Sequence, residues 1–333
     1  MSSRICIYFS AMKPQLLILD DWEGLIAASP SWGRLKESVD IKFLPVPIDA
    51  IPDAELSNVT FLMAIRERTA LTEKVFARLP QLKLVLQTGG HAYHIDQQAA
   101  QKRGIAIALG RRIKAPLASV PELTIAMMLG LMHLVPQAQQ AMRAGEWPLL
   151  TGRTLKGRRL GILGLGRHGN NVAHIAKTAF NMEVVAWHRE GGSAAAPGDI
   201  PRLPLDELLQ TSDVVSIHLR LSPESTGLLD AKKLQAMKPG SILVNTSRGA
   251  IVDETALIEA LTHGPLGGAG LDVFTNEPLS PDSPLRSLNN VMLTPHIGWT
   301  VEEVFAEFAE IACTQLLQYL DGSLAVSELI SPV

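Results

Sequence analysis

"RLGILGLGRHGNNVAHIAKTAFNMEVVAWHRE", Arg159 to Glu190, is the stretch on which the fold turns. An apolar run stops at Gly164, and Gly164, Gly166 and Gly169 then stand in G-x-G-x-x-G spacing. A segment of helical periodicity follows, and a second apolar run ends at Trp187. The first glycine allows a tight turn, the second lets the backbone approach a pyrophosphate, and the third lets helix and strand pack closely. Arg167 and His168 open the helix, whose free N–H groups and positive dipole end suit phosphates. Glycine spacing alone is a weak signal. With strand, loop, helix and next strand in order, the stretch reads as a dinucleotide site.

In such sites the second strand usually ends on an acid that holds the ribose hydroxyls. This one ends on Trp187, His188 and Arg189. A guanidinium clamps a phosphate through two parallel hydrogen bonds, so the pair favours a 2′-phosphate and therefore NADP. Trp187 or Arg189 could also stack on the adenine. The other reading gives the ribose to Glu190 and keeps NAD possible.

Outward from the loop, short apolar runs alternate with helical segments. Before it come "QLLILDD", "VTFLMAI", "LVLQTGG" and "IAIALG"; after it come "DVVSIHL", "GSILVNTS", "GGAGLDVF" and "NVMLTPHIG". This spacing predicts parallel sheets with helices on both faces. The two prolines between Ile113 and Pro121 break the pattern between the two series. A long helix and a turn-rich arm around Trp147 come next. The last helix, "VEEVFAEFAEIACTQLLQYLDG", follows the final strand and could pack back on the N-terminal unit.

The totals set bounds. A chain of 333 residues has room for two domains, and 47% hydrophobic with 19% charged residues is a globular composition. A net charge of -3 gives no bulk pull toward nucleic acid or an anionic membrane. Cys6 and Cys313 are the only cysteines, without metal-ligand or redox spacing, which fits a reducing, cytoplasmic setting. The N-terminal apolar run is shorter than a signal peptide needs, and the fold is expected to begin near Lys13. "LTIAMMLGLMHLV" suits a buried helix rather than a membrane span.

Ligands of open parallel sheets sit at the carboxyl ends of the strands. There "NTSRG" supplies Arg248, "LDVFTNEP" supplies Glu277 after a conspicuous Asp272, and "LTPHIG" supplies His296. An arginine, a glutamate and a histidine facing a nicotinamide suit reduction of a 2-keto acid. Arg248 could bind the substrate carboxylate and polarise the adjacent carbonyl. His296 could deliver the proton, and Glu277 paired with it would favour the imidazolium. Each has an ordinary structural reading alone; their joint occurrence downstream of a dinucleotide loop carries the weight.

"GLGRHG", "MKPGSILVNTSRGAIVDETALIEAL", "GAGLDVFTNEPL" and "NVMLTPHIG" together resemble the D-isomer-specific 2-hydroxyacid dehydrogenases, from about Lys13 to Ser327. The resemblance implies an α/β fold of two Rossmann-like parallel-sheet domains. The cofactor domain, 115–298, would be inserted into a discontinuous, flavodoxin-like substrate domain of 1–114 and 299–333. It places Arg248, Glu277 and His296 on the catalytic residues and Asp272 at the nicotinamide carboxamide, with Gly298 also on the cofactor side. Thr246 and Ser247 fall beside the nicotinamide ribose, and His218 and Leu219 near the adenosine. Gly89, Gly90 and His91 match the loop whose amides receive the substrate carboxylate. Arg66 matches a position that contacts the distal end of the substrate, or else pairs with Glu67. Family loops often read Gly-x-Gly-x-Asp, whereas this one carries His91 and Tyr93, so His91, Tyr93 and Trp299 leave room for a small or an aromatic acid.

By the same resemblance the arm from Pro136 to Gly157 forms a homodimer through the cofactor domains. NADP-using reductases of the family carry a Ser/His-Arg type pair where His188 and Arg189 stand. Glu277 argues against a formate dehydrogenase, which has glutamine there. The expected activity is NADP-preferring reduction of glyoxylate, hydroxypyruvate or a related 2-keto acid to the D-2-hydroxy acid. An NAD-dependent dehydrogenase of the same family is an alternative, as is a dinucleotide-sensing module like the C-terminal-binding corepressors, which share the fold. A malate- or lactate-type L-specific enzyme is disfavoured because the glycine loop lies mid-chain.

Overall fold

Continuous apolar runs bounded by turns become strands buried on both faces, as all-parallel sheets require. The computed structural model describes residues 13–187 and 200–330. It divides into two compact units, one of Met1–Lys114 with Glu302–Val333 and one of Ala115–Val301.

The first unit holds β1 (Gln15–Leu19), β2 (Asp40–Leu44), β3 (Val59–Ala64), β4 (Leu84–Gln87) and β5 (Ala106–Leu109). They form one parallel sheet in the order β2-β1-β3-β4-β5. That is the flavodoxin-like order, with its switch point between β1 and β3. β1 and β4 are wholly buried, whereas the edge strand β2 is largely exposed or half-buried. The helix Glu302–Leu320 returns to this unit and buries Phe305, Phe308, Ala312 and Leu316. Its buried Gln315 Nε2 donates to the Leu109 carbonyl at 2.9 Å and to Glu328 at 2.7 Å. The chain's last long helix therefore completes the first sheet.

The second unit holds β6 (Arg159–Leu163), β7 (Glu183–Trp187), β8 (Val214–Ile217), β9 (Ile242–Asn245), β10 (Gly268–Leu271) and β11 (Val291–Leu293). Their order is β11-β10-β9-β8-β6-β7, again all parallel. The chain leaves β6 for β7 on one side and returns to β8 on the other, so the switch point lies between β6 and β8, directly beyond which the glycine loop follows. The helix Pro116–Met132 packs on β9, β10 and β11. It comes close because Gly270 of β10 carries no Cβ; one there would lie 2.9 Å from the Met127 Cβ. Met127, Met128 and Leu131 are buried in this contact, each stabilising the unit by about 1.5–3 kcal/mol.

One expectation needs correction. The prolines between Ile113 and Pro121 do not hold off the helix. It starts at Pro116, where a missing N–H costs nothing, and continues through Pro121. Pro121 cannot donate to the Leu117 carbonyl one turn back; Asn171 Nδ2 does so instead, at 2.7 Å. The helix Val135–Arg143 follows, and the turn-rich segment around Trp147 runs from there to β6 without regular structure, as expected. Trp147 is 88% exposed and Leu149 fully so. Among the described residues no single helix is long and apolar enough to cross a membrane.

Candidate active site

The three glycines of the loop are under three different constraints. Gly164 has φ +100, and a Cβ there would lie 2.9 Å from the His218 carbonyl oxygen. Gly169 packs so tightly that its Cβ would fall 2.1 Å from the Gly164 carbonyl oxygen. At Gly166, by contrast, a Cβ would meet nothing within 4 Å. Gly166 is the N-cap of the helix Arg167–Phe180, and no side chain caps it. The helix N-terminus thus opens onto free space next to the switch point, with Arg167 exposed and His168 half-buried in its first turn.

β8 closes the other side of the loop. Gly164 N–H donates to the Trp187 carbonyl at 2.9 Å, and His218 N–H donates to the Leu163 carbonyl at 2.8 Å. The His218 ring hydrogen-bonds Ser216 Oγ through Nε2 at 2.9 Å. Desolvation, aided by the nearby His168, pushes His218 down to about 3, so its imidazole is neutral. Burial likewise lowers His168, and the charge of Arg167 lowers it further. The Leu219 carbonyl accepts from the Ser247 hydroxyl, which joins the ends of β8 and β9. Thr246 Oγ1 lies 2.9 Å from Thr124 Oγ1. Gly164, His218, Leu219, Thr246 and Ser247 are therefore brought to one edge of the sheet. His188 and Arg189 lie outside the described residues.

Arg248 leaves β9 through a tight turn in which Asn245 Nδ2 donates to the Arg248 carbonyl at 2.9 Å while Asn245 Oδ1 accepts from Ser247 N–H at 3.0 Å. The next residue, Gly249, lies against the 274–275 backbone, where a Cβ would sit 2.0 Å from the Phe274 carbonyl carbon. This close approach sets the Arg248 turn beside the Glu277 loop. Glu277 Oε1 accepts from Phe274 N–H at 2.9 Å, and Oε2 lies 2.8 Å from His296 Nδ1. Burial opposes the charge on Glu277. The His296 and Phe274 hydrogen bonds and the Arg248 charge outweigh it, holding the carboxyl below its ordinary range.

His296 has φ +56, a conformation that L residues adopt at a cost of about 1–2 kcal/mol. Asp272, 1% exposed, keeps it there. Its Oδ1 accepts from Thr294 Oγ1 at 2.5 Å and Ile297 N–H at 2.8 Å, and its Oδ2 accepts from Gly298 N–H at 2.9 Å. The Gly298 carbonyl in turn accepts from Ser119 Oγ at 2.8 Å. Asp272 thus buttresses the histidine loop, a use its position in the sequence did not announce. Thr294 and Gly249 lie inside the quoted motifs, but their roles depend on partners distant in the sequence.

Arg66, Gly89, Gly90 and His91 belong to the first unit, at the ends of β3 and β4. Arg66 has φ +53, and its N–H donates to Thr88 Oγ1 at 2.7 Å. Its guanidinium occupies the space above Gly89: a Cβ on that residue, which has φ +90, would meet Arg66 Nη1 at 2.6 Å. Arg66 Nε lies 3.6 Å from Glu67 Oε2, and His91 Nδ1 lies 3.1 Å from Glu67 Oε1. The His91 ring stacks on Tyr93 at 4.7 Å.

Residues 125–298 match the family described as D-isomer specific 2-hydroxyacid dehydrogenase, NAD binding domain. A glyoxylate reductase of Thermofilum pendens is 33% identical over 315 residues, covering 90% of this chain and 91% of that protein. The D-3-phosphoglycerate dehydrogenase of Mycobacterium tuberculosis is 35% identical over 301 residues, 87% of this chain; the match takes in 54% of that protein, so the chain spans about half the length of such relatives. Among solved structures, the TT0316 protein from Thermus thermophilus superposes with a TM-score of 0.81 at 33% identity, covering 95% of this chain and 100% of that one. With the family match running through all six strands of the second unit, and a likeness at one-third identity through nine-tenths of the sequence, the chain belongs to the D-isomer-specific 2-hydroxyacid dehydrogenase family.

Proposed function

We propose that the protein is an NADP-preferring reductase that converts a small 2-keto acid, of the glyoxylate or hydroxypyruvate type, to the D-2-hydroxy acid. The observation that carries this reading is the 2.8 Å pair of His296 Nδ1 and Glu277, with the Arg248 turn beside it. The open space at Gly166, above an uncapped helix N-terminus, fits a dinucleotide pyrophosphate. A bound nicotinamide cofactor supplies the hydride. Arg248 holds the substrate carboxylate through charge-assisted hydrogen bonds and polarises the neighbouring carbonyl. His296, its Nδ1–H held by Glu277, gives the proton on Nε2 to the carbonyl oxygen, or takes it back in the oxidising direction. In the first unit, the backbone of Gly89, Gly90 and His91 receives the substrate. The glyoxylate reductase among the relatives supports the substrate class. The basic pair His188 and Arg189, next in sequence after Trp187, supports NADP over NAD. The exposed Trp147 and Leu149 support a homodimer built through the second unit.

The test follows nicotinamide absorbance with glyoxylate and with hydroxypyruvate, using NADPH and NADH in parallel. Faster turnover with NADPH, lost in Arg189→Ala, is the expected result. Equal or better use of NADH overturns the cofactor assignment and gives the ribose to another group such as Glu190. Binding of either cofactor without turnover of any keto acid overturns the enzymatic reading in favour of a dinucleotide-sensing interaction module.

A further inference from the structure

Glu67 stands among the groups of the first unit's substrate loop without belonging to any motif. It follows Arg66, which ends the segment after β3 beside the switch point between β1 and β3. One of its oxygens lies 3.6 Å from Arg66 Nε and the other 3.1 Å from His91 Nδ1. The next residue, Arg68, is turned away to Glu23, at 2.8 Å, and to the Asp20 carbonyl, at 2.7 Å. The positive charge that Arg66 brings to the loop at Gly89 is therefore matched by a carboxylate lying close to both Arg66 and His91. The Glu67 side chain is 40% exposed, whereas those of Arg66 and His91 are 18% and 25% exposed. An incoming anion would meet the carboxylate together with the arginine.

Resting on the reading of this loop as the substrate's receptor, we propose that Glu67 is a specificity-determining residue. It restricts the distal subsite to 2-keto acids whose far end is short and uncharged, and it rejects those carrying a second anionic group such as a phosphate. A dianionic phosphate gains from an arginine but is repelled by a carboxylate a few ångströms away. At an effective dielectric between that of protein and water, this repulsion amounts to at least a factor of about ten in affinity.

The experiment measures kcat/KM for hydroxypyruvate and for its 3-phosphate, in the full chain and in Glu67→Gln. The ratio of the two substrates within one preparation is unaffected by the fraction of protein that folds. The wild-type chain is expected to favour hydroxypyruvate, and Glu67→Gln to move the ratio toward the phosphorylated substrate by about tenfold or more. An unchanged ratio, or a wild-type preference for the phosphate ester, overturns the proposal. Calorimetric titration with glycolate and with phosphoglycolate reads the same discrimination without turnover. If no keto acid is reduced, the proposed activity fails, and the proposal about Glu67 still stands or falls on whether Glu67→Gln tightens phosphoglycolate relative to glycolate.

Discussion

Alanine at Gly166 and alanine at Gly169 separate ligand contact from folding, although the two positions share one turn of chain. Gly166 has φ −77 and ψ −166, which alanine adopts freely, and its Cβ would meet nothing within 4 Å. Loss of chain entropy in the unfolded state favours the substitution by about 0.4–1 kcal/mol. A poorer N-cap opposes it by a similar amount. The net change in stability is within about 0.5 kcal/mol of zero, and the melting temperature stays put. At Gly169 a Cβ 2.1 Å from the Gly164 carbonyl oxygen forces helix and loop apart by roughly 1 Å, an overpacking worth about 1–3 kcal/mol. Alanine's better helix propensity returns about 1 kcal/mol of this. The net loss, up to about 2 kcal/mol, lowers the melting temperature of a unit the size of Ala115–Val301 by up to about 8 °C. Calorimetric titration with NADPH then gives the second axis. Gly166→Ala is expected to weaken binding at least about tenfold, because its methyl group stands where the pyrophosphate approaches. If Gly166→Ala binds NADPH as wild type does, the loop is not a phosphate cradle. If Gly169→Ala melts as wild type does, the packing account of the third glycine is wrong.

Glu277→Gln keeps the shape of the pair but removes the carboxylate that holds His296 Nδ1 at 2.8 Å, so kcat for keto-acid reduction is expected to fall about 100-fold with little change in fold by circular dichroism. Asp213, at the start of β8, is a stability probe. Burial opposes its charge, but Lys238 at 2.8 Å, the Arg159 N–H at 2.9 Å and Arg158 at 3.2 Å together hold it below its ordinary 3.8. Its stabilisation is therefore fully present above that value and is lost as pH falls through the lower folded value. Thermal melts of Asp213→Asn should show a loss of about 2 kcal/mol at neutral pH and a flatter decline on acidification. Trp147→Asp with Leu149→Asp should leave the fold intact and, by light scattering, convert the expected dimer to a monomer; an unchanged mass would place any dimer contact elsewhere.

What could be read from the chain beforehand was what local chemistry dictates. Runs such as "QLLIL" and "SILVN" can bury both faces only as inner strands of a parallel sheet, and they did. The glycine loop was legible because Gly164 and Gly169 exclude a side chain for local packing reasons, while Gly166 leaves the helix N-terminus open. The residues that act at a distance were not legible. Thr294, Ile297 and Gly298 find Asp272 across more than twenty residues, and nothing in either segment names the other. Gly249 stands in "NTSRG" beside Arg248, yet its reason is the Phe274 backbone pressed against it. Pro121 misled because proline was read through the bond it cannot make; the carbonyl it leaves behind is taken up by Asn171 from another helix.

The Asp272 buttress also bears on how His296, the proposed proton donor, moves. A histidine on a surface loop would ordinarily wander with the loop on the nanosecond scale. Here the peptide groups on its C-terminal side are tied to a carboxylate at the end of β10, an inner strand, so the ring inherits the rigidity of the sheet. The amides of Ile297 and Gly298 should accordingly exchange with solvent deuterium as slowly as those of β10, opening only when the sheet itself opens. Insertions would be tolerated after Gly298 but not between Thr294 and Gly298. In this fold the side chain proposed to carry the proton is mechanically tied to the core of the second unit.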